Sequence, residues 1–108
     1  MKTTFDAIKG TLGLAARAGK CVCGDRAVEQ AVCGGKAFCL ILDETAGPNA
    51  VKKYRNLGES GRIPVWSFDG IDVGLITGKP GKIVCAITDP AFMQMIEAHA
   101  CPVDSGRK

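Results

Sequence analysis

Four short apolar runs, "CVC" (21–23), "AFCLIL" (37–42), "RIPVWSF" (62–68) and "IVCAIT" (83–88), punctuate a chain of 108 residues, with helix-like segments between them. Strands that alternate with helices bury their apolar faces most simply in one sheet covered on both sides. The alternation therefore points to the α/β class, as a three-layer α/β/α sandwich. A chain this long supports one core and not two. Residues 1–101 read as a single domain, and 102–108, "PVDSGRK", as a polar, flexible tail.

The helical segments carry their own start and stop signals. Thr3 or Thr4 can cap a first helix with Phe5, Ile8, Leu12 and Ala15 or Ala16 on one stripe, and Gly19 is its left-handed stop. Asp25 is placed to cap a second helix that runs through Cys33, buries Val28, Ala31 and Val32, and ends at Gly34-Gly35. A third, polar helix comes after "DETAGPN" with Val51, Tyr54 and Leu57 inward. Pro64 cannot donate to a ladder, which puts "RIPVWSF" near a sheet edge. Asp69 can start a short helix carrying Ile71 and Leu75, and Asp89-Pro90 open a last helix with Phe92, Met93 and Ile96 as its apolar face.

Asp6, Lys9 and Arg17 interrupt the N-terminal segment, and no stretch approaches the roughly 20 apolar residues of a membrane span. The reading is a cytoplasmic protein with no membrane partner. In a reducing compartment the six cysteines do not suggest a disulfide framework. Cys39 and Cys85 lie in apolar runs and read as core. Cys21 and Cys23 share one face of a strand, but the chain has no C-x-x-C and a single histidine, His99, so no metal site or cofactor is assigned. A thiol switch at that pair, with Lys20 and Arg26 near in sequence, is a minor reading.

No catalytic constellation emerges. His99 lies close to the tail, Asp43 and Glu44 are adjacent and point apart in an extended segment, and "GKPGK" lacks the phosphate-loop frame. The chain is read as a non-enzyme. What remains is positive charge: the net charge is +3, and Arg17, Lys20, Arg26, Lys36, Lys79 and Lys82 fall at helix ends or in loops. A helix opening at Gly24-Asp25 would present free backbone N–H groups and a positive dipole end, with Arg26 on its first turn. That outlines an anion surface; a capped helix with solvated charges is the competing reading.

"LGLAARAGKCVCGDRAVEQAVCGGKAFCLILDE" and "VGLITGKPGKIVCAITDPAF" resemble the YlxQ-type bacterial ribosomal proteins, within the kink-turn RNA-binding superfamily of ribosomal proteins seven-Ae and thirty-e. The resemblance covers roughly residues 10 to 96. It implies a mixed four-stranded sheet in the α/β/α fold and a ribosome-associated protein that recognises structured, kink-turn-like RNA. The family motif Gly-x-Asn-Glu-x-x-Lys falls on Gly24, Arg26, Ala27 and Gln30, of which only the glycine is kept. The resemblance further places Glu44, after the second strand, and the loop of Lys79, Pro80, Gly81 and Lys82 against RNA; Glu44 can equally cap the next turn. With Lys20 and Asp25 these complete the expected surface. The expected partners are structured ribosomal RNA and other ribosome-associated proteins, and the expected state is a monomer. The alternative is a protein–protein interaction scaffold that kept the fold and uses the exposed face of the second helix.

Overall fold

The computed structural model describes residues 4–43, 45–68 and 71–98, with the side chains of 4–7 excepted. Along these residues the order is α1 (Thr4–Arg17), β1 (Cys21–Cys23), α2 (Asp25–Cys33), β2 (Cys39–Leu42), α3 (Pro48–Gly61), β3 (Val65–Ser67), α4 (Val73–Thr77), β4 (Val84–Ile87) and α5 (Pro90–Glu97). The strands form one mixed sheet in the order β1-β4-β2-β3. β4 runs antiparallel to both β1 and β2, and β2 is parallel to β3. The three-layer sandwich and mixed sheet expected from the sequence are what the chain forms. Pro64 precedes an edge strand, as its missing donor requires.

The two central strands explain their uninterrupted apolar runs. Cys39 and Ile41 of β2 and Cys85 and Ile87 of β4 face a core built with Ile8, Leu12 and Ala15 of α1, Val73 of α4 and Ile96 of α5. The alternate residues, Leu40 and Leu42, Val84 and Ala86, face a second core under Val28, Ala31 and Val32 of α2 and Tyr54 of α3. Strands covered on both faces have no polar side to write into the sequence. Cys39 and Cys85 are fully buried, as their apolar settings predict.

Helix ends obey the expected signals at three places. Gly19, at φ 73°, lets the Lys20 N–H close α1 on the Ala15 carbonyl at 2.8 Å. Asp89 accepts from the Ala91 and Phe92 amides with Pro90 at the first helical position. Gly34 closes α2 through the Gln30 carbonyl. α4 departs from expectation. Its cap is Asp72, which accepts from the Leu75 amide, so the helix opens later than expected; Ile71 is buried just ahead of it and Leu75 is 76 % exposed. A helix this short leaves one of its faces entirely in solvent. Asp69, Thr3, Glu44 and His99 lie outside the described residues, as do the expected domain end at 101 and the tail, and Phe5 lies outside the described side chains. Among the described residues no helix is long and apolar enough to cross a membrane.

Asp43 is the one charged residue buried among the described residues, at 5 % exposure. Its carboxylate accepts from the Thr45 amide at 2.9 Å, the Thr45 hydroxyl at 2.5 Å and the Val73 amide at 2.5 Å. It thus ties the end of β2 to the first residue of α4. Burial opposes its charge, but the donors from Thr45 and Val73 outweigh burial and hold the carboxyl below its ordinary value of 3.8. Asp43→Ala would strand the buried Val73 amide, with an expected loss of about 3 kcal/mol. A carboxyl depressed in the folded state contributes stability above its unfolded pKa and loses it as pH falls through the folded value. Urea unfolding should therefore show a large gap between wild type and Asp43→Ala at neutral pH that narrows as the pH falls below about 4.

Candidate nucleic-acid interface

The site begins where β1 ends. Cys23 pairs with Cys85 across the β1–β4 ladder, and the next residue, Gly24, still donates its amide to the Val84 carbonyl at 3.0 Å before the chain turns into α2. That turn needs φ 97° and ψ 157°, a region L side chains rarely adopt. The Gly24 carbonyl accepts the first helical bond from Val28 at 2.9 Å. Among the described residues no side chain caps the helix. The first-turn amides of Asp25, Arg26 and Ala27 have no carbonyl behind them in the helix to bond to, which leaves a row of donors at its positive end.

The cap that the sequence assigns to Asp25 does not form. Asp25 occupies the first helical position, and its carboxylate turns to α3, accepting from Lys53 Nζ at 2.7 Å and from the Tyr54 hydroxyl. Lys53 and Tyr54 hold the Asp25 carboxyl below its ordinary value, Lys53 contributing most. Lys53 also reaches Glu29 at 3.2 Å, and its ammonium is held above its ordinary range first by Asp25 and then by Glu29. The acidic residue nearest the helix opening is therefore paired before any anion arrives.

The second element comes from the other end of the chain. α4 ends at Gly78, φ 75°, and the loop folds back so that the Lys79 amide reaches the Gly74 carbonyl at 2.8 Å and the Lys82 amide the Lys79 carbonyl at 3.2 Å. The loop lies so close to α4 that a Cβ on Gly74 would meet the Lys79 carbonyl oxygen at 2.9 Å and the Gly81 nitrogen at 3.1 Å. It delivers Lys82 directly over the Gly24 turn: a Cβ on Gly24 would meet Lys82 Cδ at 3.2 Å and Nζ at 3.3 Å. An open concavity of about 470 Å³ results, lined by Cys23, Gly24, Asp25, Arg26, Ala27, Gln30 and Lys82. Arg26 and Gln30 stand four apart, on one helical face, and both are exposed.

Of the residues singled out from the sequence, Gly24, Asp25, Arg26, Ala27, Gln30 and Lys82 come together here, with exposed Lys79, Pro80 and Gly81 in the adjoining loop. Lys20 does not join them. It precedes β1 at the opposite end of the strand, where its carbonyl accepts from Thr88 and its ammonium lies 3.9 Å from Asp89. The four residues from Lys20 to Gly24 span about 13 Å of extended chain. Arg17, in the last turn of α1, and Lys36, beyond the end of α2, stand at helix ends other than the one that opens this concavity. Sequence reasoning misses Lys53, Tyr54 and Gly74 as parts of the site. A tyrosine on a buried helix face needs a partner for its hydroxyl, so Tyr54 carries a usable signal; Gly74 carries none.

A search of protein-family models finds no match. The RNA-binding protein YlxQ of Bacillus subtilis (strain 168) is 33 % identical to this chain over 82 residues, 75 % of this chain and 82 % of that protein. The chain belongs to the YlxQ family. Among solved structures, a protein of unknown function from Bacillus halodurans C superposes with a TM-score of 0.77 at 30 % identity, covering 85 % of this YlxQ-family chain and 94 % of its own. The Giardia lamblia 15.5kD RNA binding protein superposes with a TM-score of 0.71 at 16 % identity, covering 92 % of this chain and 86 % of its own, and so shares the fold.

Gly74 tests how the basic loop is held. Gly74→Ala places a methyl against loop backbone, which cannot yield as a side-chain tip can, and is expected to cost about 1–3 kcal/mol. Gly10→Ala, in the exposed middle of α1 with nothing within 4 Å of the added Cβ, should stabilise by about 0.5–1 kcal/mol. Thermal unfolding of both variants reads the opposite signs, and faster amide exchange at Lys79 in Gly74→Ala would locate the damage in the loop.

Proposed function

We propose that this YlxQ-family protein is a non-enzymatic RNA-binding protein of the cytoplasm. It grips a structured RNA with the amide-lined start of α2 and the Lys79–Lys82 loop acting as one surface. The observation that carries the reading is Lys82 lying over Gly24, with Nζ 3.3 Å from where a Cβ would be. Backbone donors and ammonium groups on one open concavity suit a phosphate backbone, and the glycine lets Lys82 lie close against the turn. The relatives' names support the same partner class: the Bacillus subtilis protein is named RNA-binding, and so is the Giardia lamblia protein that shares the fold.

Arg26 and Gln30 supply the base-reading chemistry. Arginine can fork onto the O6 and N7 of guanine, and glutamine can both donate and accept at a base edge. Ala27 can do neither, so the face reads fewer bases than the motif Gly-x-Asn-Glu-x-x-Lys would. Ribosomal RNA containing a kink-turn-like element is the proposed ligand. A role as a protein-binding scaffold finds less support, because the face presented beside α2 is charged and polar.

Binding of a fluorescent kink-turn RNA, with a plain RNA duplex as comparison, tests this across a salt series. Two or three phosphate contacts predict a log–log salt slope of about −2. Arg26→Ala should weaken binding by about tenfold, and Lys82→Ala should reduce the slope by about 1. Salt-independent binding, or equal affinity of Arg26→Ala and wild type, would overturn the reading.

A further inference from the structure

A group of thiols lies at the end of β1, beneath the Gly24 turn. Cys21 and Cys23 are half-buried and pack on the α1/α4/α5 core, to which the buried Cys85 also belongs. Cys23 stands directly opposite Cys85 in the antiparallel ladder. Because Gly24 donates to Val84, that neighbouring pair is the hydrogen-bonded one, and Cys23–Cys85 occupies a non-hydrogen-bonded position. There α-carbons approach to about 4.5 Å and side chains are closest, within the span a disulfide bridges. Cys21, two residues along the same strand from Cys23, is about 6.6 Å of chain away, with its side chain parallel to that of Cys23. It is the poorer partner for a bond. The described residues include no group of three or more His, Cys, Asp and Glu that could hold a metal ion, so redox chemistry is the use this cluster fits.

We propose that Cys23 is a peroxide-oxidisable thiol and Cys85 its resolving partner, closing a reversible cross-strand disulfide under the Gly24 turn. The charge environment agrees. Contacts from Cys21 first, then from Cys85, push the Cys23 thiol well down, with further help from Thr77 and Lys79, against the effect of burial. Cys21 is pushed up to about 12, chiefly by its contact with Cys23, and so keeps its own proton. Cys85 is held well up, first by its contacts with Cys21 and Cys23 and then by burial, and so enters the exchange as a thiol. Cys39, pushed up to about 12 by burial, faces Ile87 in the ladder and has no cysteine opposite it.

The Cys23 thiolate attacks one oxygen of hydrogen peroxide, the O–O bond breaks, and hydroxide leaves to become water; Cys23 is now a sulfenic acid, oxidised by two electrons. The Cys85 sulfur, giving up its proton, attacks the sulfenic sulfur, the S–O bond breaks and a second water leaves. Two thiols and one peroxide yield a disulfide and two waters. A dithiol reductant reverses it by exchange. A further consequence rests on the RNA reading proposed for the adjoining concavity: oxidation removes a negative sulfur close to Lys79, leaving that lysine freer to meet phosphate, and RNA affinity rises.

The test uses the full, reduced chain challenged with modest hydrogen peroxide, then alkylated, digested with trypsin and mapped by mass. The expected product has lost two hydrogens, links the Cys21–Arg26 peptide to the peptide that carries Cys85 and Cys101, with fragmentation placing the bridge on Cys23 and Cys85, and reverts with dithiothreitol. Cys23 should be consumed about tenfold faster than the exposed Cys33. Cys21→Ser should still close the bond and Cys23→Ser should not; Cys85→Ala should leave a sulfenic acid on Cys23 that dimedone traps. Preferential oxidation of Cys33, or no link in the wild-type chain, would overturn the proposal without reference to any variant's folding or to RNA, and a Cys85 link formed in Cys23→Ser would overturn it as well. Failure of the reduced protein to bind RNA would count against the RNA reading alone, whereas RNA affinity unchanged by a mapped Cys23–Cys85 bond would remove the coupling.

Discussion

The antiparallel register of β1 and β4 is the constraint that creates the candidate site. Pairing Val22 with Ala86 and Cys23 with Cys85 makes the end of β1 the neighbour of the start of β4. The segment leaving β1 must then lie beside the segment entering β4, although the two are far apart in sequence. The chain leaves β1 through the opening of α2 and enters β4 through the loop that ends in Lys82. The Gly24 amide bonded to Val84 carries that register up to the turn itself. One residue of slip would move Cys21 and Cys23 from one face of the sheet to the other and carry the α2 opening out of line with Lys82.

Electrostatics at that junction are arranged by a third element. An aspartate at the first position of a helix favours the dipole and stabilises the helix, yet a free carboxylate there would repel an anionic ligand. α3 resolves the conflict with Lys53 and Tyr54, which pair the Asp25 carboxylate where it borders the concavity. The Tyr54 hydroxyl, its own ionisation pushed up to about 12 by burial and then by Asp25, remains a donor throughout the neutral range. The helix keeps its stabilising charge, and the concavity is left with first-turn amides, Arg26 and Lys82.

These features differ in how far they can be read from residues alone. The apolar runs of β2 and β4, the glycine stop after α1 and the Asp89-Pro90 opening of α5 are local patterns, and the chain forms them where the patterns lie. Asp25 misleads because its sequence position suits a cap equally well. Only the tertiary placement of Lys53, 28 residues away, decides where its carboxylate goes. Leu75 misleads because five residues of helix cannot bury all the apolar side chains they carry. Gly74 gives no sign of its role, since a requirement for close backbone approach appears only when the Lys79–Gly81 loop lies against it. Lys20 shares the basic character of Lys82, but strand direction puts it at the opposite end of β1.

The division between backbone and side chain bears on how the surface tolerates a changed motif. The parts of the concavity that would meet phosphate are the first-turn amides of α2 and a lysine held over the buried Gly24 by strand register. None of these depends on the identities at positions 26, 27 and 30. Those positions govern only which base edges can be met. On the RNA reading proposed above, arginine, alanine and glutamine in place of asparagine, glutamate and lysine would leave the phosphate contacts to the fold while freeing the base preference to shift toward guanine. Under that reading affinity and sequence preference would be carried by separable parts of one short turn, and substitution along α2 would alter the second far more readily than the first.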